Sequence, residues 1–358
     1  MAGFTQSMDA ESCVSNESCE RSMGWVWTLS ILGFIVYSLN VVVTSGGHHD
    51  GMIACLLFYF QMSSFASDGG QSNAVLEFAQ VRSVAALYEG ACYAPDTGAY
   101  AATVYRLIGP LCVLVFGAVW TGIIQKLQPF LQQRKVNVNA SYSGTLAVAI
   151  LHIFSSVTSV VFSLVECTGY GENDVVFIDG TMPCKGPQWT ALLFIAAVLF
   201  LFPVAFACAL RAKWLPHAAH VAVADKFTEP MMHWGAVALA FRLFVALSQL
   251  LRVAFPNLLA FIRMLLSTGM LVLLVHLQPY AYDRSFWIDV SCYVCLIAQF
   301  GLQIIATDRE YLGVSEAEDQ ESFYSGISTC GSVLRCAIYF CVVFVCEPTC
   351  SCSASGLF

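Results

Sequence analysis

Apolar runs of about 20 residues, separated by short polar stretches, recur from residue 24 to residue 306. That is the length a helix needs to cross about 30 Å of hydrocarbon. Residues 24–44, 104–124, 144–165, 189–210 and 287–306 form the clearest runs. Residues 234–255 and 257–276 are as long but carry Arg242, Arg252 and Arg263. The connection between these two, through Phe255, Pro256 and Asn257, predicts a tight helical hairpin. Two runs are shorter. Residues 52–65 are apolar and aromatic and read as a short span, a re-entrant element or an interfacial helix; residues 333–346 contain Arg335. The pattern predicts an all-α, polytopic transmembrane helical bundle of eight or nine spans.

Composition narrows the choice of solvent. Of the 358 residues 58% are hydrophobic and only 11% charged, against about 25% charged in a soluble domain. Too few charges exist to solubilise the apolar runs, so the lipid bilayer is the expected partner. The net charge of −8, without a basic patch interleaved with aromatics, argues against nucleic acid.

Charge placement predicts sidedness. Lys and Arg near span ends mark the cytoplasm. Lys126, Arg134, Lys135, Arg211, Lys213, Lys226 and Arg284 lie in alternate loops, which with the turn after the first span hold 7 basic residues against 4 acidic ones. The opposite loops hold 4 basic residues, Arg21, Arg82, Lys185 and Arg309, and 18 of the 24 acidic ones. If 52–65 crosses, the alternation is complete and the N-terminus lies outside. Residues 1–23 are then a short external acidic segment, 307–332 an acidic external loop, and 333–358 a short last span with a Cys-rich tail. The first run is not expected to be a cleaved signal peptide, because it is too long and follows an acidic segment.

Cysteines follow the same division. Cys167 and Cys184 share one external loop, Cys92 lies in another, and Cys13 and Cys19 in the N-terminal segment. A Cys167–Cys184 bridge is expected in an oxidising compartment, the alternative being two free thiols. Asn16-Glu17-Ser18 is a glycosylation sequon on the predicted outside, whereas Asn139-Ala140-Ser141 lies inside. The C-terminal Cys336, Cys341, Cys346, Cys350 and Cys352 are either juxtamembrane palmitoylation sites or an inert set. Expected location is the plasma membrane or the secretory pathway.

Hydrolase, kinase, nucleotide-binding and zinc motifs are missing from the sequence, so neither an enzyme nor a cofactor is expected. Candidate chemistry rests on polar residues inside spans, which are costly there. Arg242, Gln249 and Arg252 share one helical face within about 80° of arc. Arg263 lies on the returning helix and Asp289 on the next span. This cluster either holds an anion or lipid headgroup, pairs with Asp289, or, for Arg252 and Arg263, snorkels to the interface. His152, Ser155, Ser156 and Ser159 share another face, lining a polar pathway or permitting close helix packing.

Several short motifs carry a family resemblance: Phe58-Tyr59-Phe60-Gln61-Met62, Gly90-Ala91-Cys92-Tyr93-Ala94-Pro95, Gly109-Pro110-Leu111, Phe162-Ser163-Leu164-Val165-Glu166-Cys167, Asp179-Gly180-Thr181-Met182-Pro183-Cys184, His276-Leu277-Gln278-Pro279-Tyr280 and Trp287-Ile288-Asp289. Residues 24–306 resemble the C-terminal multi-span region of transient-receptor-potential-like or polycystin-like cysteine-rich surface proteins of protists, algae and fungi. The resemblance implies a channel-like, cation-permeable protein, with the external acidic loops concentrating cations near a mouth. In that family a long ectodomain precedes the first span, whereas 23 residues precede it here. Two alternatives stand: a receptor or scaffold that has lost its ectodomain, and a small-solute transporter, for which Pro110 and Pro203 would mark interrupted spans. A homo-oligomer is an open expectation; the ligand is unknown.

Overall fold

The computed structural model describes residues 4–6, 13–45, 52–63, 92–133, 140–170, 173–176, 183–251 and 255–311. Among the described residues two short hairpins, β1 (Phe4–Gln6) with β2 (Cys13–Ser15) and β3 (Cys167–Tyr170) with β4 (Asn173–Val176), accompany a mostly helical fold. The helices are α1 (Asn16–Thr44), α2 (Met52–Ser63), α3 (Ala99–Tyr105), α4 (Ile108–Gln133), α5 (Tyr142–Val165), α6 (Pro187–Arg211), α7 (His217–Ala224), α8 (Trp234–Ser248), α9 (Pro256–Leu277) and α10 (Asp283–Tyr311).

Among the described residues seven stretches are long and apolar enough to cross a membrane: α1, α3 with α4, α5, α6, α8 with its flanking 3₁₀ turns, α9 and α10. The eighth expected span is α2, whose 12 residues reach only about 18 Å, little more than half the hydrocarbon thickness. The ninth, 333–346, lies outside the described residues, as do Arg252, Arg82 and the cysteines from Cys336 onward. Large apolar side chains point outward along the spans, among them Val115, Phe194, Leu201 and Val272. On a soluble monomer so large an apolar surface is rare; against lipid it is the expected exterior.

Helix α5 is the axis of the bundle. Its apolar window is 72% buried, whereas that of α6 is 11% buried, which separates a central helix from a peripheral one. Small and hydroxylated residues explain this: Gly144, Ala149, Ser155, Ser156 and Ser159 let neighbouring backbones approach closely. Gly144 shows it most directly, since a Cβ there would stand 3.2 Å from the Ala218 carbonyl oxygen and 3.4 Å from Ala222. Helices α1, α4, α6, α7 and α8 all pack on α5, while α9, α10 and α2 form a second group joined to it mainly through α8.

The two ends of the bundle differ. At one end a Cys19–Cys92 disulfide, Cα atoms 5.5 Å apart, ties the start of α1 to the segment leading into α3. A Cys167–Cys184 disulfide, Cα atoms 6.3 Å apart, closes the α5–α6 connection, the pairing expected from the sequence. Trp27 caps this end by donating to the Tyr93 carbonyl at 3.1 Å. At the opposite end Ser45, just past α1, meets Thr145 near the start of α5 at 3.1 Å, and Thr121 of α4 donates to Thr145 at 2.9 Å. Helix α5 therefore runs from this hydroxyl cluster toward the disulfides, antiparallel to α1 and α4.

Two proline expectations resolve locally. Pro110 falls in the first turn of α4, directly after the turn at Arg106 and Leu107 that divides α3 from α4, so the helical path of this stretch is broken beside it. Pro203 does lie within α6, a lipid-facing helix whose backbone continues through it.

Candidate functional site

One polar cavity of about 100 Å³ lies inside the bundle, at the end opposite the disulfides. Its outer rim is built by the connection after α7 and by the α9–α10 turn. These are stitched together by backbone hydrogen bonds from Thr228 to the Pro279 carbonyl (2.8 Å) and from Ala281 to the Lys226 carbonyl (3.0 Å). Gln278 makes the turn possible: it caps α9 at φ 44°, in the left-handed region, and Pro279 follows. Asp225, Lys226, Tyr280 and Tyr282 thereby reach the rim.

The inner wall comes from four helices. Counted at 1.5 Å per residue, Asp289 lies about 9 Å into α10, Arg242 about 12 Å into α8, Gln61 about 14 Å into α2 and His152 about 15 Å into α5. The cavity thus extends to roughly mid-bundle, and all four line it.

Each inner side chain is held in place. Arg242 donates from Nη1 to the Leu151 carbonyl at 2.7 Å, and its guanidinium lies 4.8 Å from the centre of the Phe58 ring. Its buried Nε has no hydrogen-bond partner among the described residues. Gln61, 1% exposed, donates to the His152 carbonyl at 2.8 Å and accepts from Ser155 at 3.1 Å, so α2 is locked onto α5. Tyr37 of α1 meets His152 Nδ1 at 3.1 Å. Asp289, 3% exposed, accepts from the Tyr280 hydroxyl at 2.9 Å through Oδ2, and that hydroxyl also meets Cys55 Sγ at 3.4 Å.

Opposite charges face each other across this space without touching. Arg242 and Asp289 make no ion pair within 4.0 Å of each other, unlike the exposed Arg21 and Glu17 at 3.3 Å. At the rim, burial pushes the Lys226 ammonium pKa below its ordinary value, with Arg242 adding to the effect and Cys55 and Asp289 opposing it. Burial and the neighbouring Asp289 and Cys55 push the Tyr280 hydroxyl well above its own, so it remains a donor.

The residues singled out in the sequence divide. His152, Arg242 and Asp289 come together in the cavity. Arg263 is fully buried elsewhere, its Nε donating to Ser248 at 3.3 Å, and so does not reach outward to an interface. Gln249 sits on a 3₁₀ turn (Gln249–Leu251), with Oε1 buried and no hydrogen-bond partner among the described residues. Gln249 follows Arg242 by seven residues, about two full helical turns, and so keeps to the face of Arg242, while Arg252 lies outside the described residues. Asn16, the candidate glycosylation residue, opens α1 and donates from Nδ2 to Asp96 at 2.6 Å.

Sequence reasoning missed Tyr37, Cys55, Phe58, Gln61, Lys226, Tyr280 and Tyr293 as parts of one site. Phe58, Gln61, Tyr280 and Asp289 all stand in short motifs of the sequence, but no spacing along the chain brings them together. Among the described residues no group of His, Cys, Asp and Glu is disposed to hold a metal ion.

Compared with known proteins, the chain matches no family model, no curated protein and no solved structure. Fold and site together fit a multi-pass helical membrane protein with a charged cavity inside its bundle.

Proposed function

We propose that this chain is a solute-binding membrane protein of receptor type, whose working site is the cavity between α2, α5, α8 and α10. The observation that carries this is the meeting of pinned, oppositely charged side chains, Arg242 and Asp289, in one space where neither neutralises the other. A buried charge without an ionic partner costs free energy, and an incoming polar solute is what would offset that cost. The basic loops support a cytoplasmic mouth under the positive-inside rule, and the two disulfides at the other end fit an oxidising exterior. The N-terminus then lies outside, and Asn16 becomes available to glycosylation machinery.

A second reading is favoured by a specific observation: beyond His152 the buried hydroxyls of Ser155, Ser156 and Ser159 continue along α5 toward the disulfide end. A channel-like protein of the transient-receptor-potential-like kind, permeable to cations, would use that stripe as the rest of a path. Against it, Ser155 is engaged by Gln61, and Arg242 at the inner wall repels cations.

Purified full-length protein in proteoliposomes separates the two. The solute-binding protein melts higher in the presence of its ligand, by about 2.7 kcal/mol of added stability at 100 times Kd, and passes no cations. A cation flux that Arg242→Leu alters, with no solute that stabilises the protein, would overturn the receptor-type reading in favour of the pore.

A further inference from the structure

The chemistry of the cavity restricts its occupant further. Arg242 is fixed by Leu151 through Nη1 and by Phe58, and its guanidinium lines the cavity as the group that best recognises a carboxylate. Lys226 adds a second cation at the rim. Facing them, Asp289 has Oδ2 taken by Tyr280, and no group among the described residues engages Oδ1. A simple anion entering this space meets the Asp289 carboxylate, and a simple cation meets Arg242 and Lys226. A molecule with both signs satisfies each wall and carries no net charge into the bundle.

Volume sets its size. About 100 Å³ is smaller than the roughly 150 Å³ apolar cavity that accepts benzene, so the occupant has about four to six non-hydrogen atoms. Phe58, Leu239 and Tyr293 also line the cavity and suit a short hydrocarbon bridge.

We propose that the cavity binds a glycine-sized α-amino acid zwitterion, its carboxylate on the Arg242 guanidinium with Lys226 beside it and its ammonium on Asp289 Oδ1. This rests on the solute-binding reading above and names its substrate class.

Cys55 lines the same cavity and reports on occupancy. Full-length protein in nanodiscs is treated with iodoacetamide, an alkylating agent of glycine's size that fits the same space, and modification of Cys55 is followed by peptide mass mapping with glycine, acetate, methylamine or tryptophan present. Glycine is expected to slow modification, and the other three are not. Arg242→Gln and Asp289→Asn should each raise the glycine concentration needed by roughly tenfold or more while Cys55 stays reactive. Equal protection by acetate, with Asp289→Asn silent, would make this a plain anion site and overturn the zwitterion. Reactive Cys55 that no probe protects would also overturn it, yet leave the open cavity standing. Cys55 that reacts only after denaturation would remove the solute-binding reading itself.

Discussion

Replacing Arg242 with leucine discriminates between a binding group and a strut. The guanidinium makes one charge-assisted hydrogen bond, 2.7 Å to the Leu151 carbonyl, which contributes about 1.5–3 kcal/mol. It also makes one cation–π contact, 4.8 Å from the Phe58 ring centre, worth about 0.5–2 kcal/mol. Loss of both costs roughly 2–5 kcal/mol. Against this, the effective penalty of keeping a charge out of water is several kcal/mol, and leucine removes it. The Leu151 carbonyl keeps its own helical hydrogen bond, so nothing is orphaned. The two sides nearly cancel, and Arg242→Leu should melt within a few degrees of the parent protein. Thermal melting in detergent, read by fluorescence-detected size exclusion, measures this, with Trp234→Ala as the destabilised reference. Trp234 is 2% exposed, and its truncation should cost about 3–5 kcal/mol. Solute-induced stabilisation, in contrast, should vanish in Arg242→Leu. A leucine variant that melts as low as Trp234→Ala would refute the reasoning and make the arginine a strut between α5 and α8.

Other perturbations probe what holds the cavity in shape. Gly144→Val would drive a branched side chain into the Ala218 carbonyl and Ala222, costing about 1–3 kcal/mol and shifting α7 with Lys226; lower thermal stability together with weakened ligand stabilisation is expected. Tyr37→Phe leaves buried His152 Nδ1 without its 3.1 Å partner, for about 1–3 kcal/mol, and chemical denaturation should register that loss. Cys167→Ser opens a loop of about 18 residues and Cys19→Ser one of about 74. The loop-entropy relation gives about 3 and about 4.5 kcal/mol for these, so the second variant should melt lower in non-reducing detergent. Asn16→Gln should abolish an endoglycosidase-sensitive gel shift in protein made in a glycosylating host; parent protein without a shift would count against an external N-terminus.

Much of the architecture was legible in the chain, because the bilayer imposes length and polarity directly. A run such as 144–165 must be a helix in hydrocarbon, where every backbone group needs an internal partner, and the helix found, Tyr142–Val165, differs only at its ends. Cys167 and Cys184 were readable as a pair because they share one loop, and Arg242 and Asp289 because charge inside a span is rare and costly. Which helix would be central was not readable: α5 and α6 are both apolar enough to span, and packing on Gly144 and the serine face is what makes α5 the buried one. Nor was the cavity. Phe58, Gln61, His152, Arg242, Tyr280 and Asp289 lie as much as 231 residues apart in number, and their meeting depends on crossings between helices that periodicity within one helix does not encode. Lipid chemistry reads each span singly, so the sequence determined the spans; how they pack against one another was decided only in three dimensions.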